Sequence, residues 1–460
     1  MIMKLFLFLF LFADFLLAMS LNEYISLSLS NSNDARTLSE NNLNTNLDYS
    51  LAKNSYSINY SPLSSFKTDS NSNSISLGMQ GDKKNTYGGM LYGSISSTRG
   101  DYRDTQDTFY NNSATIGYKQ SLFRKFGEEY NTISLFSAKE KVKLIKLQNK
   151  EQKANIILKA VGYYYESVRN SAMIKIQEKS LIRAENNYNI AKAKQKSGLV
   201  SKIDVYRAKL SFLDQSKNLN NSIKQYKNSI ENLYYYLNQD VEKNISIDQT
   251  STIKIIKNTI EDKDNSEILF GNLAWNEILL SEKIIKKQLY NANKDFLPDI
   301  ELDMKYKKYS LKKKFNEASG FDQDDWSITL NSNYGFNTTE QNINKQKIII
   351  LNSKIQRDKR SLKRYIFKEI NELKNDYQNI LENLEIYKLK KIEAKDSLTV
   401  AKIRYERGLS SNLDILDAES AYSSSQIEYV SEILRYNLAL LKYAKAVNEL
   451  DIKYIKRTFQ

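Results

Sequence analysis

The feature that most constrains this chain is an internal duplication. Residues 191–208 read AKAKQKSGLVSKIDVYRA and residues 401–418 read AKIRYERGLSSNLDILDA. Without a gap, seven of the eighteen positions are identical at an offset of 210, including Gly198/Gly408, Leu199/Leu409, Ser201/Ser411 and Asp204/Asp414. The same offset pairs Ile223 with Ile433 and Tyr226 with Tyr436. A fold for this sequence therefore has to build one substructure twice. Within each copy, a Gly at the end of a helical pattern relieves the left-handed strain of a C-cap. Ser-x-x-Asp immediately afterwards is a capping-box-like start for the next helix, with the carboxylate near the positive helix end.

Long helices lead into both turns. The chain has only 2 Pro and 14 Gly in 460 residues, so little interrupts a helix. Ile157, Val161, Tyr164 and Val168 are spaced four, three, four, and Ile427, Val430, Leu434 and Leu441 repeat that seam around Asn437. A helix over 131–197 would be on the order of 100 Å long, too long for a compact globule.

Ahead of each long helix the period changes to two. Ile300, Leu302, Met304 and Tyr306 alternate with Glu301, Asp303, Lys305 and Lys307. Trp326, Ile328, Leu330, Ser332, Tyr334 and Phe336 alternate with polar neighbours, and the charged stretch 310–325 between them reads as an exposed loop containing Lys312, Lys313 and Lys314. A looser pair lies at 72–97 and 108–123, about twenty residues longer than its counterpart. Pro62 and Pro298 each precede one of these segments. One apolar and one polar side per strand suits either a lipid-facing barrel with a wet lumen or a soluble half-buried sheet. Trp326 is the natural interfacial residue of the first alternative.

Composition removes most chemistry. With no His and no Cys, His-based triads, His- or Cys-ligated metals, thiol nucleophiles and disulfides are excluded. No segment reads as a catalytic domain, no cofactor is implied, and the chain is not expected to be an enzyme. Lys and Arg exceed Asp and Glu by 68 − 54 = 14, but they are scattered among acids, which argues against a nucleic-acid partner. Residues 1–20 carry Lys4, an apolar run from Leu5 to Phe12 and the small-residue end Ala18-Met19-Ser20, the pattern of a secretory signal.

On the duplicated Gly-Leu-x-Ser-x-x-Asp turn, the Pro-then-strand junctions, the two strand pairs and the matching helices, the chain resembles the TolC-like outer-membrane efflux protein family over most of 38–450. The resemblance implies a mixed α and β fold, in which each protomer of a homotrimer gives four strands to an outer-membrane β-barrel continued by a coiled-coil α-barrel in the periplasm. The expected organisation is a signal peptide at 1–20 and a first repeat at 21–239, with a helix near 38–52, the strands above, the long helix, a tip at 198–201 and a helix over 202–239. A connection at 240–264 precedes a second repeat at 265–450, with helices at 265–297, 338–407 and 412–449, strands at 299–309 and 326–336, a tip at 408–411, and a tail at 451–460. The function implied is a passive exit duct of a tripartite efflux or type I secretion system. Its partners would be a periplasmic adaptor (membrane fusion) protein, an inner-membrane pump or ABC transporter, and outer-membrane lipid. Carried over by position, Gly198, Leu199, Val200, Ser201, Gly408, Leu409, Ser410 and Ser411 would contact the adaptor. Asp414 and Asp417 would ring the periplasmic entrance. Asp204 and Tyr405, with Arg404 or Arg407 replacing a basic residue lost at Ser410, would hold it shut. For Ser201, Ser411 and Asp204 a purely capping role is the competing reading, and for Asp417 a solvated helix face. The alternative for the whole chain is an exported coiled-coil or adhesin-like surface protein.

Overall fold

The computed structural model describes residues 19–102, 107–240, 253–261 and 263–459. The expected signal segment, apart from its last two residues, and most of the 240–264 connection lie outside them. In chain order the elements are α1 (Leu21–Asn31), α2 (Asn33–Asn54), β1 (Ile58–Thr68), β2 (Ser72–Lys84), β3 (Gly89–Tyr102), β4 (Thr108–Ser121), α3 (Glu128–Asn131) and the 64-residue α4 (Ile133–Lys196). Then come α5 (Lys202–Tyr236), α6 (Asn265–Gly271), α7 (Leu273–Lys294), β5 (Asp299–Lys312), α8 (Phe315–Ala318), β6 (Gln323–Asn333), the 68-residue α9 (Thr339–Glu406), α10 (Asn412–Ala446) and α11 (Ile452–Thr458). The chain divides into two compact units, one of residues 1–40, 147–271 and 364–460, the other of 41–146 and 272–363.

The second unit is built on one antiparallel sheet in the order β1-β2-β3-β4-β5-β6. Six strands stand where four were expected from the sequence. The segment 72–97 is two strands, β2 and β3, separated by a turn in which Gly88 adopts φ +89° and the Asn85 side chain accepts from the Tyr87 and Gly89 amides at 2.9 and 2.8 Å. An Asn that caps its own backbone beside a left-handed Gly is a strong turn former. Pro62, expected ahead of the strands, lies inside β1. That strand ends the sheet, where a missing N–H is tolerated. In the stretch 310–325, Lys312 pairs with Asp322 at 2.6 Å, Lys313 with Asp107 at 2.8 Å and Lys314 with Glu317 at 3.4 Å.

The register sorts side chains onto two unlike faces. Pairings such as Met79↔Ile95, Ile95↔Ala114, Ile116↔Tyr306 and Met304↔Ile328 run an apolar row across the sheet. Ile58, Tyr60, Phe66, Leu77, Ile95, Ile116, Trp326, Ile328 and Leu330 share that face and are all exposed. The opposite face is polar and internally bonded: Ser76 to Thr98 at 2.7 Å, Ser96 to Ser113 at 3.1 Å, and the Tyr92 hydroxyl donating to Asp303 at 2.7 Å. Lys119 lies 3.7 Å from Glu301 and 3.9 Å from Asp303 on the same side. At one end, where α8 covers Asn112 and Ser310, the apolar face is buried in its own chain; a sheet with its large apolar side chains exposed on one face and polar side chains on the other suits a wall between lipid and water.

The first unit is helical. The seam residues Ile157, Val161, Tyr164 and Val168 of α4 are at most 1% exposed, as are Leu440, Leu441 and Ala444 of α10. Asn437, which interrupts the second seam, is fully buried but satisfied: it accepts from the Ile256 amide at 3.1 Å and donates to the Lys254 carbonyl at 2.8 Å. A buried amide with these partners fixes the 253–257 segment against α10 without leaving a polar group orphaned. Tyr24 is anchored likewise, its hydroxyl donating to the Leu233 carbonyl at 3.0 Å. Among the described residues no helix is long and apolar enough to cross a membrane.

Candidate functional site

Two turns of nearly identical construction lie in the helical unit. After α4, Gly198 takes φ +72°, its amide reaches the Gln195 carbonyl at 3.0 Å, and the Leu199 amide reaches the Lys194 carbonyl at 2.9 Å. After α9, Gly408 takes φ +76°, its amide reaches Tyr405 at 3.0 Å, and the Leu409 amide reaches Arg404 at 2.8 Å. This is the double bond pattern of a Schellman C-cap, which satisfies orphan carbonyls only when the residue after the helix is left-handed. An L side chain there is strained by roughly 1–2 kcal/mol.

Each turn then starts a helix with a complete capping box. Ser201 Oγ accepts from the Asp204 amide at 3.3 Å while the Asp204 carboxylate accepts from the Ser201 amide at 3.1 Å. Ser411 and Asp414 repeat this at 3.3 and 2.8 Å. Ser201 Oγ additionally donates to the Asp204 carboxylate at 2.7 Å. The expected capping pattern is therefore present in both turns, and Asp204 and Asp414 serve their own helices. What the turns expose is apolar: Leu199 is 73% and Leu409 66% accessible, and Ile203 and Tyr206 after the first turn and Leu413 after the second are exposed as well.

The residues expected to lock an entrance fall into two groups. Tyr405 is 1% exposed, its hydroxyl has no hydrogen-bond partner among the described residues, and burial with the nearby Asp204 charge holds its pKa above the ordinary value. Arg404, Arg407 and Asp417 are exposed, and none forms an ion pair among the described residues. Val200 and Ser410 lie half-buried in the turns, and the Ser410 hydroxyl is without a partner among the described residues.

Three residues outside the sequence reading link the two turns. Asn187 of α4 donates to the Asn412 side chain at 2.9 Å, and Asn412 donates to the Asp204 carbonyl at 3.2 Å. Lys194 reaches the Tyr405 carbonyl and stands 4.1 Å over that tyrosine's ring, a favourable cation–π distance. These contacts join positions more than 200 residues apart. No local spacing announces them, although the conspicuous Asn at the first position of α10 was a signal available in the sequence.

Beside the turns is a cavity of about 870 Å³ lined by Arg183, Asn187, Ile190, Lys402, Glu419 and Tyr422. Burial pushes the Glu419 carboxyl up to about 7, against the opposing pull of Arg183 and Lys402. The Arg183 guanidinium lies 5.6 Å from the Tyr422 ring and donates to Ser180 and Ser423 at 2.7 and 3.1 Å. Among the described residues no cluster of acids could hold a metal.

Comparisons with known proteins agree with the expected family resemblance. Residues 285–448 match the family model described as outer membrane efflux protein. No curated protein sequence matches this chain. The fold is similar to that of the channel CusC (TM-score 0.73, 13% identity, covering 93% of this chain and 91% of that one). It is also similar to the Neisseria gonorrhoeae MtrE outer membrane channel in its open state (0.72, 13%, covering 93% and 88%). The Campylobacter jejuni CmeC outer membrane channel gives 0.70 at 16% identity, covering 96% and 89%. The resemblance to TolC-like outer-membrane efflux proteins thus holds in sequence over residues 285–448 and in fold over nearly the whole chain.

Proposed function

We propose that this chain, a TolC-like outer-membrane efflux protein by resemblance in sequence and fold, is one protomer of a homotrimeric exit duct. The observation that carries the reading is the sheet: a predominantly apolar face, whose large side chains from Ile58 to Leu330 are exposed, backs a hydrogen-bonded polar face. The apolar face belongs against outer-membrane lipid and the polar face against a water-filled lumen. The duplicated helical hairpins would close, copy against copy, into a hollow periplasmic tube ending at the Gly198 and Gly408 turns.

On this reading the exposed Leu199 and Leu409 are apolar knobs for a periplasmic adaptor, which couples the duct to an inner-membrane pump or ABC transporter. The export is of small toxic molecules or of secreted polypeptides, and this chain supplies a path without chemistry. Asp417, free of partners among the described residues, and Asp414, whose carboxylate also caps α10, would form rings of three carboxylates at the entrance. Such rings attract cations and repel anions. Tyr405 would belong to the closed state, its hydroxyl waiting for a donor or acceptor from a neighbouring copy or from Arg404 or Arg407.

Conductance in planar bilayers tests this directly. The purified protein is expected to form long-lived cation-preferring channels, and Asp417→Asn to weaken that preference and any block by multivalent cations. A detergent-free, water-soluble monomer without conductance would overturn the proposal. Unchanged selectivity in Asp417→Asn and Asp414→Asn together would remove the entrance ring alone.

A further inference from the structure

We infer that the hairpin β1–β2 is part of the membrane wall, and that the edge of β1 is the docking edge for β6 of a second copy of this chain, so that three copies close a barrel of 3 × 6 = 18 strands. The inference rests on the trimeric duct proposed above and adds to it the identity of the sealed edges and the width of the exit.

Three observations carry it. The first is facial continuity. Ile75, Leu77 and Met79 of β2 stand opposite Phe66, Ser64 and Pro62 on one side and Arg99, Ser97 and Ile95 on the other. With Ile58 and Tyr60, they extend the exposed, predominantly apolar face of β3–β6 onto the hairpin, Met79 meeting Ile95 directly. A hairpin folded away from the membrane would have no reason to keep that alternation. The second is the pair of free edges. β1 and β6 end the sheet, each 11 residues long and almost wholly exposed. In hydrocarbon every unsatisfied backbone group costs several kcal/mol, so neither edge can stay open. A single copy cannot join its own edges, because six strands are too few to leave room for their interior side chains.

The third is the stagger. The hydrogen-bonded row that starts at Leu63, midway along β1, passes through Gly78, Ser96, Ser113 and Tyr309 and arrives at Gln323, the first residue of β6. It has climbed five residues relative to the strand midpoints over five steps between strands. That is about 17 Å of strand against about 24 Å of lateral travel, a tilt of about 35°, within the range closed barrels require. One more step at the same rate sets Ile328 opposite Ser64 of the next copy. Ser64 lies on the apolar face, so continuity of that face is kept. The same register sets Trp326 opposite Phe66 and Asp325 opposite Lys67, an aromatic pair and an ion pair of the kind that stabilise neighbouring strands. Pro62 falls opposite Leu330 and removes a single donor from the seam. Eighteen strands at this tilt close at a backbone diameter of roughly 34 Å, against roughly 22 Å for twelve.

The chain contains no cysteine, so engineered disulfides report without background. The full-length double variant Ser65→Cys/Ser327→Cys places thiols opposite each other on the lumen face. Mild oxidation is expected to yield covalent trimers on denaturing gels, in about tenfold excess over the register-shifted pair Ser61→Cys/Ser327→Cys. Ser96→Cys/Ser327→Cys tests the rival twelve-stranded closure, in which β6 meets β3 and the hairpin lies outside the wall. Native mass is measured in parallel on every variant. Crosslinking of the 65/327 pair alone supports the inference. Crosslinking of the 96/327 pair, or an intact trimer in which neither pair links, overturns it while leaving the duct standing. A monomeric mass removes the trimer itself.

Discussion

The turns after α4 and α9 are built from the same bonds, yet the strand segments that precede those helices differ by a whole hairpin: β1–β4 in the first half, β5 and β6 in the second. The contrast separates two kinds of constraint. A helix-to-helix turn is fixed by local stereochemistry, and a left-handed residue followed by a cap has few solutions, so the motif Gly-Leu-x-Ser-x-x-Asp recurs. A sheet has no comparable local limit on strand number. It can gain strands in pairs, provided the apolar face continues and the new edge finds a partner.

The sharpest way to break that comparison is to charge the apolar face on either side of it. Leu77 lies in the added hairpin and Leu330 in β6, exposed to 61% and 62%. If both face lipid, Leu77→Lys and Leu330→Lys should each cost about 2–4 kcal/mol and deplete the membrane-inserted protein. Ser76→Lys, on the polar face, should be tolerated. Tolerance of Leu77→Lys with loss of Leu330→Lys, read by thermal unfolding in detergent and by outer-membrane yield, would place the hairpin outside the wall.

The helical hairpins differ beside their turns, and Glu419 measures that difference. The position 210 residues earlier is Lys209, which is exposed, whereas Glu419 lines the cavity with its carboxyl pushed up to about 7 by burial. The folded protein therefore holds this proton more tightly than the unfolded chain. The stabilising contribution is complete below the ordinary carboxyl pKa of 4.5, is lost as pH rises towards about 7, and stays lost above. Glu419→Gln should raise stability at pH 8 by on the order of 2 kcal/mol and change little at pH 4. Equal melting temperatures of variant and parent at pH 8 would show that the cavity is wetter than its lining suggests.

Much of the helical hairpin was legible in the sequence because its determinants are local. Gly198, Ser201 and Asp204 lie within seven residues, and the seam Ile157, Val161, Tyr164, Val168 repeats at helical spacing. The alternation in β5 is equally open, since Ile300, Leu302, Met304 and Tyr306 face charged neighbours. The first-half sheet was not legible in the same way. In β1 the alternation of Ile58, Tyr60 and Phe66 is broken by Pro62, by Leu63 on the other side and by Ser64, and Gly78 and Gly81 dilute the pattern of β2, so 72–97 reads as one strand until Asn85 and Gly88 are seen to turn the chain. The contacts of Lys194, Asn187 and Asn412 depend on two segments meeting across more than 200 positions. Sequence distance hides such pairs, whatever the strength of each contact.

The two glycines test how much of the likeness between the turns is stereochemical. An added Cβ meets nothing within 4 Å at Gly198 or Gly408, so only the positive φ opposes substitution. Gly198→Ala and Gly408→Ala should each cost about 1–2 kcal/mol, and by equal amounts. A clearly larger loss at one, in paired thermal melts, would reveal a contact made only in the assembled protein.

The smallest expected difference lies in the caps, and it runs against the near-identity of the turns. Replacing a capping Ser by Ala typically costs about 1 kcal/mol, because one helix-terminal amide loses its acceptor. Both turns make that bond at 3.3 Å, and both return a carboxylate to the Ser amide. Only at the first does the hydroxyl also donate to the carboxylate, at 2.7 Å. Ser201→Ala thus removes two hydrogen bonds, one of them to a charged acceptor, and Ser411→Ala removes one. Both sites are exposed, so water replaces much of what is lost, and the second bond at Ser201 adds at most about 0.5–1 kcal/mol. The ordering expected in urea melts is parent, then Ser411→Ala, then Ser201→Ala. The reverse order would mean that Ser411 holds a partner in the trimer that one chain does not supply. The second turn, beside Asp414 and Asp417, would then be the more heavily used of the two.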